Sequence, residues 1–205
     1  MSHNRTLTRR ELLRNAAVGA AGLAAVPAAA WAQQQRPRPY GPFRMGIQSY
    51  SLRGYKLDEA LDKTQQLGLH FWEAFAAHVP LTTDAAQITE LKNKLQAHRI
   101  RLVAHGVSAF GPDEAANRKI FDAAKALGVT TLSADPSPDS FDNLEKLVEE
   151  YQINIAIHNH GPGARYDKLQ QVVDAVKGRN KRIGACADLG HFLRSGEDPV
   201  KVIET

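Results

Sequence analysis

The feature that most limits how this chain can fold is an alternation. From Phe43 onward, short apolar runs give way repeatedly to amphipathic helical stretches. Strands are expected at 44–50 (RMGIQSY), 70–75 (HFWEAF), 101–107 (RLVAHGV), 129–134 (VTTLSA), 153–158 (INIAIH) and 183–188 (IGACAD). Helices are expected at 57–67, 84–98, 113–127, 141–151 and 166–177, and Pro199 opens a further one. Within 84–98, Ile88, Leu91 and Leu95 recur at helical spacing and give one apolar face. Gly68 and Gly128 each follow a helix, where a left-handed cap favours glycine.

Strands and helices that alternate in this way build a parallel sheet with crossover helices. The repeat is roughly 25–30 residues, and eight such units would fill the ~250 residues of a TIM barrel. About six are present. The expected fold class is therefore α/β, an incomplete (β/α)8 barrel spanning 43–205. A doubly wound open sheet would carry a phosphate loop after its first strand, and no Gly-x-Gly-x-x-Gly follows Tyr50.

The first 32 residues read as a targeting segment. Arg9-Arg10 precedes a weakly apolar Ala- and Gly-rich stretch from Ala16 to Ala30, and Ala30-Trp31-Ala32 has the small-x-small form of a cleavage site. The pattern resembles a Tat signal, so the protein is expected to be exported to the periplasm. The stretch is short and Ala-rich for a stable span, so no membrane anchor is expected after cleavage. Residues 33–42 read as a Pro-rich linker. The formal net charge of +4 belongs mostly to this leader, where Arg5, Arg9, Arg10 and Arg14 face only Glu11. The rest is close to neutral, which argues against a nucleic-acid partner. The single cysteine, Cys186, excludes an intrachain disulfide and is expected in the core of its strand.

Function is signalled by position. The C-terminal end of each strand from the second to the sixth carries a titratable or metal-capable residue: Glu73, His105, Asp135, the run His158-Asn159-His160, and Asp188 with His191. In a (β/α)8 barrel these ends form the active-site rim. Asp188-Leu189-Gly190-His191 is the sharpest motif. A carboxylate ending an apolar strand is held rigidly, and Gly190 lets the chain turn so that His191 returns over the pocket. The alternative is that Asp188 caps the loop after it and His191 packs beside it. In an extended segment His158 and His160 would share a face. Carboxylate and imidazole together suit Mn²⁺, Zn²⁺, Co²⁺ or Fe²⁺, with Mg²⁺ also open. The expected metal ligands are Asp188, His158 and Asp135. His158, His160 and His191 are the candidate catalytic residues, and Glu73, His105, Asn159 and His191 the candidate substrate contacts. His70 and His98 read as structural, and His78 as a loop residue with a surface role.

The runs Gly46-Ile47-Gln48-Ser49-Tyr50-Ser51, Ala156-Ile157-His158-Asn159-His160-Gly161 and Gly184 through His191, with Arg194-Ser195-Gly196 and Asp198-Pro199 after them, resemble the xylose-isomerase-like TIM barrels, the sugar phosphate isomerases and epimerases. The resemblance covers essentially everything after the linker. It implies one divalent metal held by residues of strands five to eight, with Asp188 as the strand-six ligand and His191 as its substrate-side partner. It implies a glutamate at strand five, where this chain has His158. It also implies a carbohydrate substrate and an isomerase or epimerase acting through an enediolate. A lyase or dehydratase of 3-keto glycosides and a non-catalytic sugar- or metal-binding module are the alternatives. A metal-dependent DNA-repair endonuclease would need a basic groove. An open six-stranded barrel exposes two strand edges, so the chain is expected to be a fragment of a longer gene product. Its oligomeric state, homo-oligomer or otherwise, stays open.

Overall fold

The computed structural model describes residues 40–205. The expected signal segment at 1–32 and most of the expected linker lie outside the described residues.

The six expected strands form: β1 (Gly46–Gln48), β2 (Phe71–Ala74), β3 (Arg101–Phe110), β4 (Thr131–Pro136), β5 (Asn154–His158) and β6 (Ile183–Cys186). Five helices connect them: α1 (Leu57–Gln66), α2 (Ala85–Ala97), α3 (Glu114–Leu127), α4 (Phe141–Tyr151) and α5 (Leu169–Val176). Two short helices, α6 (Leu189–Arg194) and α7 (Pro199–Glu204), follow β6. The sheet order is β1-β2-β3-β4-β5-β6, and each strand is parallel to the next. This is the expected α/β class: a partial TIM barrel of six strands alternating with helices.

Local chemistry places the helix ends. Asp113 accepts hydrogen bonds from the backbone N–H groups of Ala115 and Ala116 and so starts α3. Gly128 ends it at φ 80°, a left-handed conformation that costs a glycine little. Asp84 caps α2 by accepting from the Gln87 N–H at 2.8 Å.

The two faces of the sheet differ. Ala74, His105, Leu132, Ile155 and Ile183 lie in one register row across β2 to β6. All are buried, within a core shared with Leu61 of α1, Leu91 and Leu95 of α2, Phe121 of α3 and Leu144 and Leu147 of α4. Side chains alternate along a strand, so Ser133, Ala156 and Gly184 face the other way, and so do Asp135, His158 and Cys186. That second face becomes the inside of a barrel. Cys186 therefore departs from the expected core position: it faces the barrel interior and is half-buried.

Trp72 is fully buried and donates its indole N–H to Thr64 Oγ1 at 3.2 Å. Burying such a side chain contributes on the order of 3 kcal/mol. His78 stacks on it, with ring centroids 5.8 Å apart, and donates from Nε2 to the Tyr55 carbonyl at 3.0 Å. The expected surface role of His78 is thus corrected: its ring is buried because Trp72 and Phe75 pack against it. Gly106 has a steric reason. A Cβ there would press into Ser133 Oγ and lie 2.5 Å from the Ser133 carbonyl oxygen. Among the described residues no helix is long and apolar enough to cross a membrane.

Candidate metal and substrate site

At the C-terminal ends of β5 and β6 the chain gathers three imidazoles and a carboxylate. His158 ends β5, and its register partner on β6 is Cys186, two residues before Asp188. Asp188 is the N-cap of α6, and its Oδ1 accepts from the His191 N–H at 2.8 Å. This fixes the Asp188 carboxylate and brings the His191 ring back over the strand ends. The capping alternative holds: Asp188 caps the next helix and His191 packs beside it, its Nε2 3.9 Å from Oδ2. One ligand-capable atom from each of His158, Asp188 and His191 falls within 4.8 Å of the others. His160 stands beside them, its ring centroid 4.6 Å from that of His158 and 5.5 Å from that of His191.

His158 Nδ1 is buried and has no hydrogen-bond partner among the described residues. An unpaired buried nitrogen is costly unless something outside the chain bonds to it. Burial, and then the neighbouring His160, push the His158 pKa below its ordinary value; Asp188 opposes this and His191 adds to it. Both effects favour the neutral ring, the form that offers a lone pair to a metal.

Asn159, expected to touch substrate, has a structural task. It is fully buried, accepts from the Asp188 N–H at 2.7 Å and donates from Nδ2 to the Asp188 carbonyl at 2.9 Å. The amide ties the end of β5 to the end of β6.

Glu73 lies on the barrel-facing side and accepts a hydrogen bond from Ser133 Oγ of β4. Burial raises its pKa above the ordinary carboxylate value, and the Ser133 bond partly opposes this. It lines a cavity of about 270 Å³ with Gly46, Gln48 and Ala104. Cys186 lies within the fields of both Glu73 and Asp188; burial and then these two charges push its thiol up to about 11.

Two expected site residues stand apart from this group. His105 is not at the rim. β3 runs on to Phe110, which leaves His105 in mid-strand on the helix-facing side, where its Nε2 donates to the Val79 carbonyl at 2.8 Å. Asp135 is level with His158 on the adjacent strand, but its carboxylate pairs with Arg165 Nη1 at 3.4 Å and lies outside the group of three. Two residues given no role from sequence now have one: Ser133, which positions Glu73, and Arg194, whose Nη1 lies 3.3 Å from His191 Nδ1. The three-residue spacing of His191 and Arg194, one helical turn, was the available signal.

The chain belongs to the xylose isomerase-like TIM barrel family, whose model matches residues 61–204. A structure of a protein from Parabacteroides distasonis is 33% identical, with a TM-score of 0.64, over 78% of this chain and 69% of that one. The IOLI protein, solved with a bound zinc atom, shares the fold at 20% identity and a TM-score of 0.62, over 78% of this chain and 68% of its own. So does the 3-keto-D-glucoside 4-epimerase YcjR of E. coli, at 12% identity and a TM-score of 0.58, over 79% of this chain and 74% of its own. The fold's neighbours thus include a sugar epimerase. This chain spans about two-thirds of the length of its first solved relatives. No curated protein matches the sequence.

Proposed function

We propose that this chain carries the metal- and substrate-binding rim of a sugar isomerase or epimerase that uses one divalent metal. The observation behind this reading is the convergence of His158, Asp188 and His191 at the ends of adjacent strands. The donors fit a metal: a neutral imidazole with an unpaired buried nitrogen, beside a carboxylate fixed through one oxygen. His158 and Asp188 would hold it, and His191 stands on the substrate side. When bound, the metal supplies Lewis-acid polarisation of a sugar carbonyl and its neighbouring hydroxyl.

The chain's own residues supply the rest. Glu73, whose proton affinity burial raises above the ordinary carboxylate value, is the carboxyl suited to the hydrogen next to a carbonyl. Ser133 holds its orientation. His160 and His191 line the mouth and can donate hydrogen bonds to hydroxyl oxygens. Asn159 keeps the β5 and β6 groups in register. Return of the proton by Glu73 to the neighbouring carbon isomerises; epimerisation needs a second group, such as His160 or His191, to deliver a proton to the opposite face of the same carbon while Glu73 keeps the one it removed.

A second reading keeps the site and changes the outcome: loss of a β-substituent from a 3-keto glycoside, a lyase or dehydratase reaction. The keto-glycoside epimerase among the fold's neighbours favours that substrate class. Incubation with keto-sugars and 3-keto glycosides in deuterium oxide, with zinc or manganese added, tests both. Deuterium should enter at the carbon beside the carbonyl, and a released aglycone would mark the lyase. No metal binding and no exchange with any sugar would sink the reading. We further propose export by the Tat route, resting on Arg9-Arg10 and the Ala-rich stretch after it. Changing both arginines to lysine should keep the protein in the cytoplasm; unchanged export would refute it.

A further inference from the structure

His191 has two ring nitrogens, and the structure distinguishes them. Nε2 faces Asp188, 3.9 Å from Oδ2. Nδ1 faces Arg194, 3.3 Å from Nη1. A guanidinium has N–H donors and no acceptor, and it stays charged in proteins. The Arg194 contact is therefore an N–H directed at a bare Nδ1. A neutral imidazole carries one N–H, which then sits on Nε2. An Nδ1–H would set two donors face to face.

The seat of this contact is shaped by the neighbouring loop. A Cβ at Gly161 would lie 3.3 Å from Arg194 Cζ and Nη2 and 3.5 Å from His191 Nδ1. A glycine at 161 leaves the guanidinium room to lie against the imidazole. Among the described residues no carboxylate forms an ion pair with Arg194, so the imidazole is the partner it has.

We propose that Arg194 is a positioning residue that holds His191 in the Nε2–H tautomer, so that His191 presents a proton donor, and not a lone pair, to the site. This rests on the metal reading above and sharpens it. With its lone pair turned to Arg194, His191 is withdrawn from the ligand set. The metal-facing atoms then come from His158 and Asp188, and the His191 N–H is directed toward the Asp188 carboxylate and an oxygen of the substrate. The tautomer, set from outside the site, decides whether the third member of the group binds metal or substrate.

The test reads the tautomer directly. Long-range proton–nitrogen NMR correlation on the metal-free chain should show His191 protonated at Nε2. Arg194→Met should leave a mixture of tautomers, and Arg194→Lys, which restores a donor, should recover the Nε2–H form. Gly161→Ala should perturb it as Arg194→Met does, since only the flexible end of an arginine has to move. An Nδ1–H tautomer in the unsubstituted chain, or an unaltered spectrum in Arg194→Met, overturns the proposal. Zinc titration adds a second check. His191→Ala should bind zinc within about threefold of the parent, while Asp188→Ala should lose more than about tenfold. An equal loss in both variants also overturns it. Unaltered zinc binding in Asp188→Ala would instead remove the metal reading, a result distinct from the tautomer found without metal.

Discussion

Asn159 and Asp188 are joined by two hydrogen bonds that run in opposite directions between one side chain and one backbone unit, at 2.7 Å and 2.9 Å. The amide has no exposed surface. Replacing Asn159 with Leu leaves the Asp188 N–H without a partner and the Asp188 C=O with the Phe192 N–H alone, at a cost of about 1–3 kcal/mol. At roughly 2–4 °C per kcal/mol for a chain of this size, calorimetry will register the loss. Zinc affinity should also fall about 10–100-fold, because the support of a ligand is gone. Unchanged zinc affinity in a folded variant would show that Asp188 is held in place by its own helix alone.

Asp188 has a capping task and a charge, and two substitutions separate them. Asp188→Asn keeps an oxygen to accept from the His191 N–H and removes the charge, so it should melt close to the parent while losing metal. Asp188→Ala loses both and should be destabilised by about 0.5–2 kcal/mol as well. Thermal melts paired with zinc titration check this. An Asn variant that keeps full zinc affinity would argue against the carboxylate as ligand.

Glu73 should cost stability at neutral pH. Its folded pKa is raised above 4.5, mainly by burial, so the native state binds a proton more readily than the unfolded chain does. Stability from this group is present below 4.5 and is lost as pH rises through the folded value. Glu73→Gln removes the charge and still accepts from Ser133. The variant should melt above the parent at pH ~7, and the gap should close toward pH ~4.5. A variant that melts lower at neutral pH would contradict this.

His158 and His105 act in the opposite sense. Burial is the largest cause of the lowered pKa of each, and both folded values lie below 6.5. Protons then bind the unfolded chain more readily, and stability falls as pH drops below 6.5. Melting temperatures followed downward from neutral pH should decline, and His105→Gln should make the decline shallower. A decline of equal slope in that variant would remove His105 from the account.

Gly106→Ala should disturb the site from a distance. The added methyl presses on Ser133, so both the β3–β4 pairing and the Ser133–Glu73 hydrogen bond must shift. The expected cost is about 1–3 kcal/mol. A loss of solvent exchange activity larger than the loss of folded protein would show that Glu73 needs its partner; equal losses would limit Gly106 to packing.

All six strands were legible because each is a short apolar run set off from a helical one, and Asp188, His158 and His191 because they end such runs. The remainder depends on phase and contact. In 101–107 the apolar Leu102 and Val103 are adjacent, so alternation does not say which face His105 takes. The register shift of β3 against β2 between Trp72 and Glu73 settles it toward the helices. Asn159 sits between two histidines on a rim and reads as a ligand contact; only the tertiary approach of the Asp188 backbone gives it a structural partner. Asp135 reads as a free carboxylate because Arg165, thirty residues on, has no local relation to it.

Each strand pairs with the strand that precedes it in the chain, so Gly46 meets Phe71 and Ile155 meets Ile183 without any long excursion. Among the described strands no pairing waits for a distant segment to be made. A growing polypeptide can therefore lay down this sheet in order of synthesis, each new strand finding its template already formed. Vectorial assembly of this kind leaves the β5–β6 junction, and with it the histidine cluster, to be completed last among the described strands.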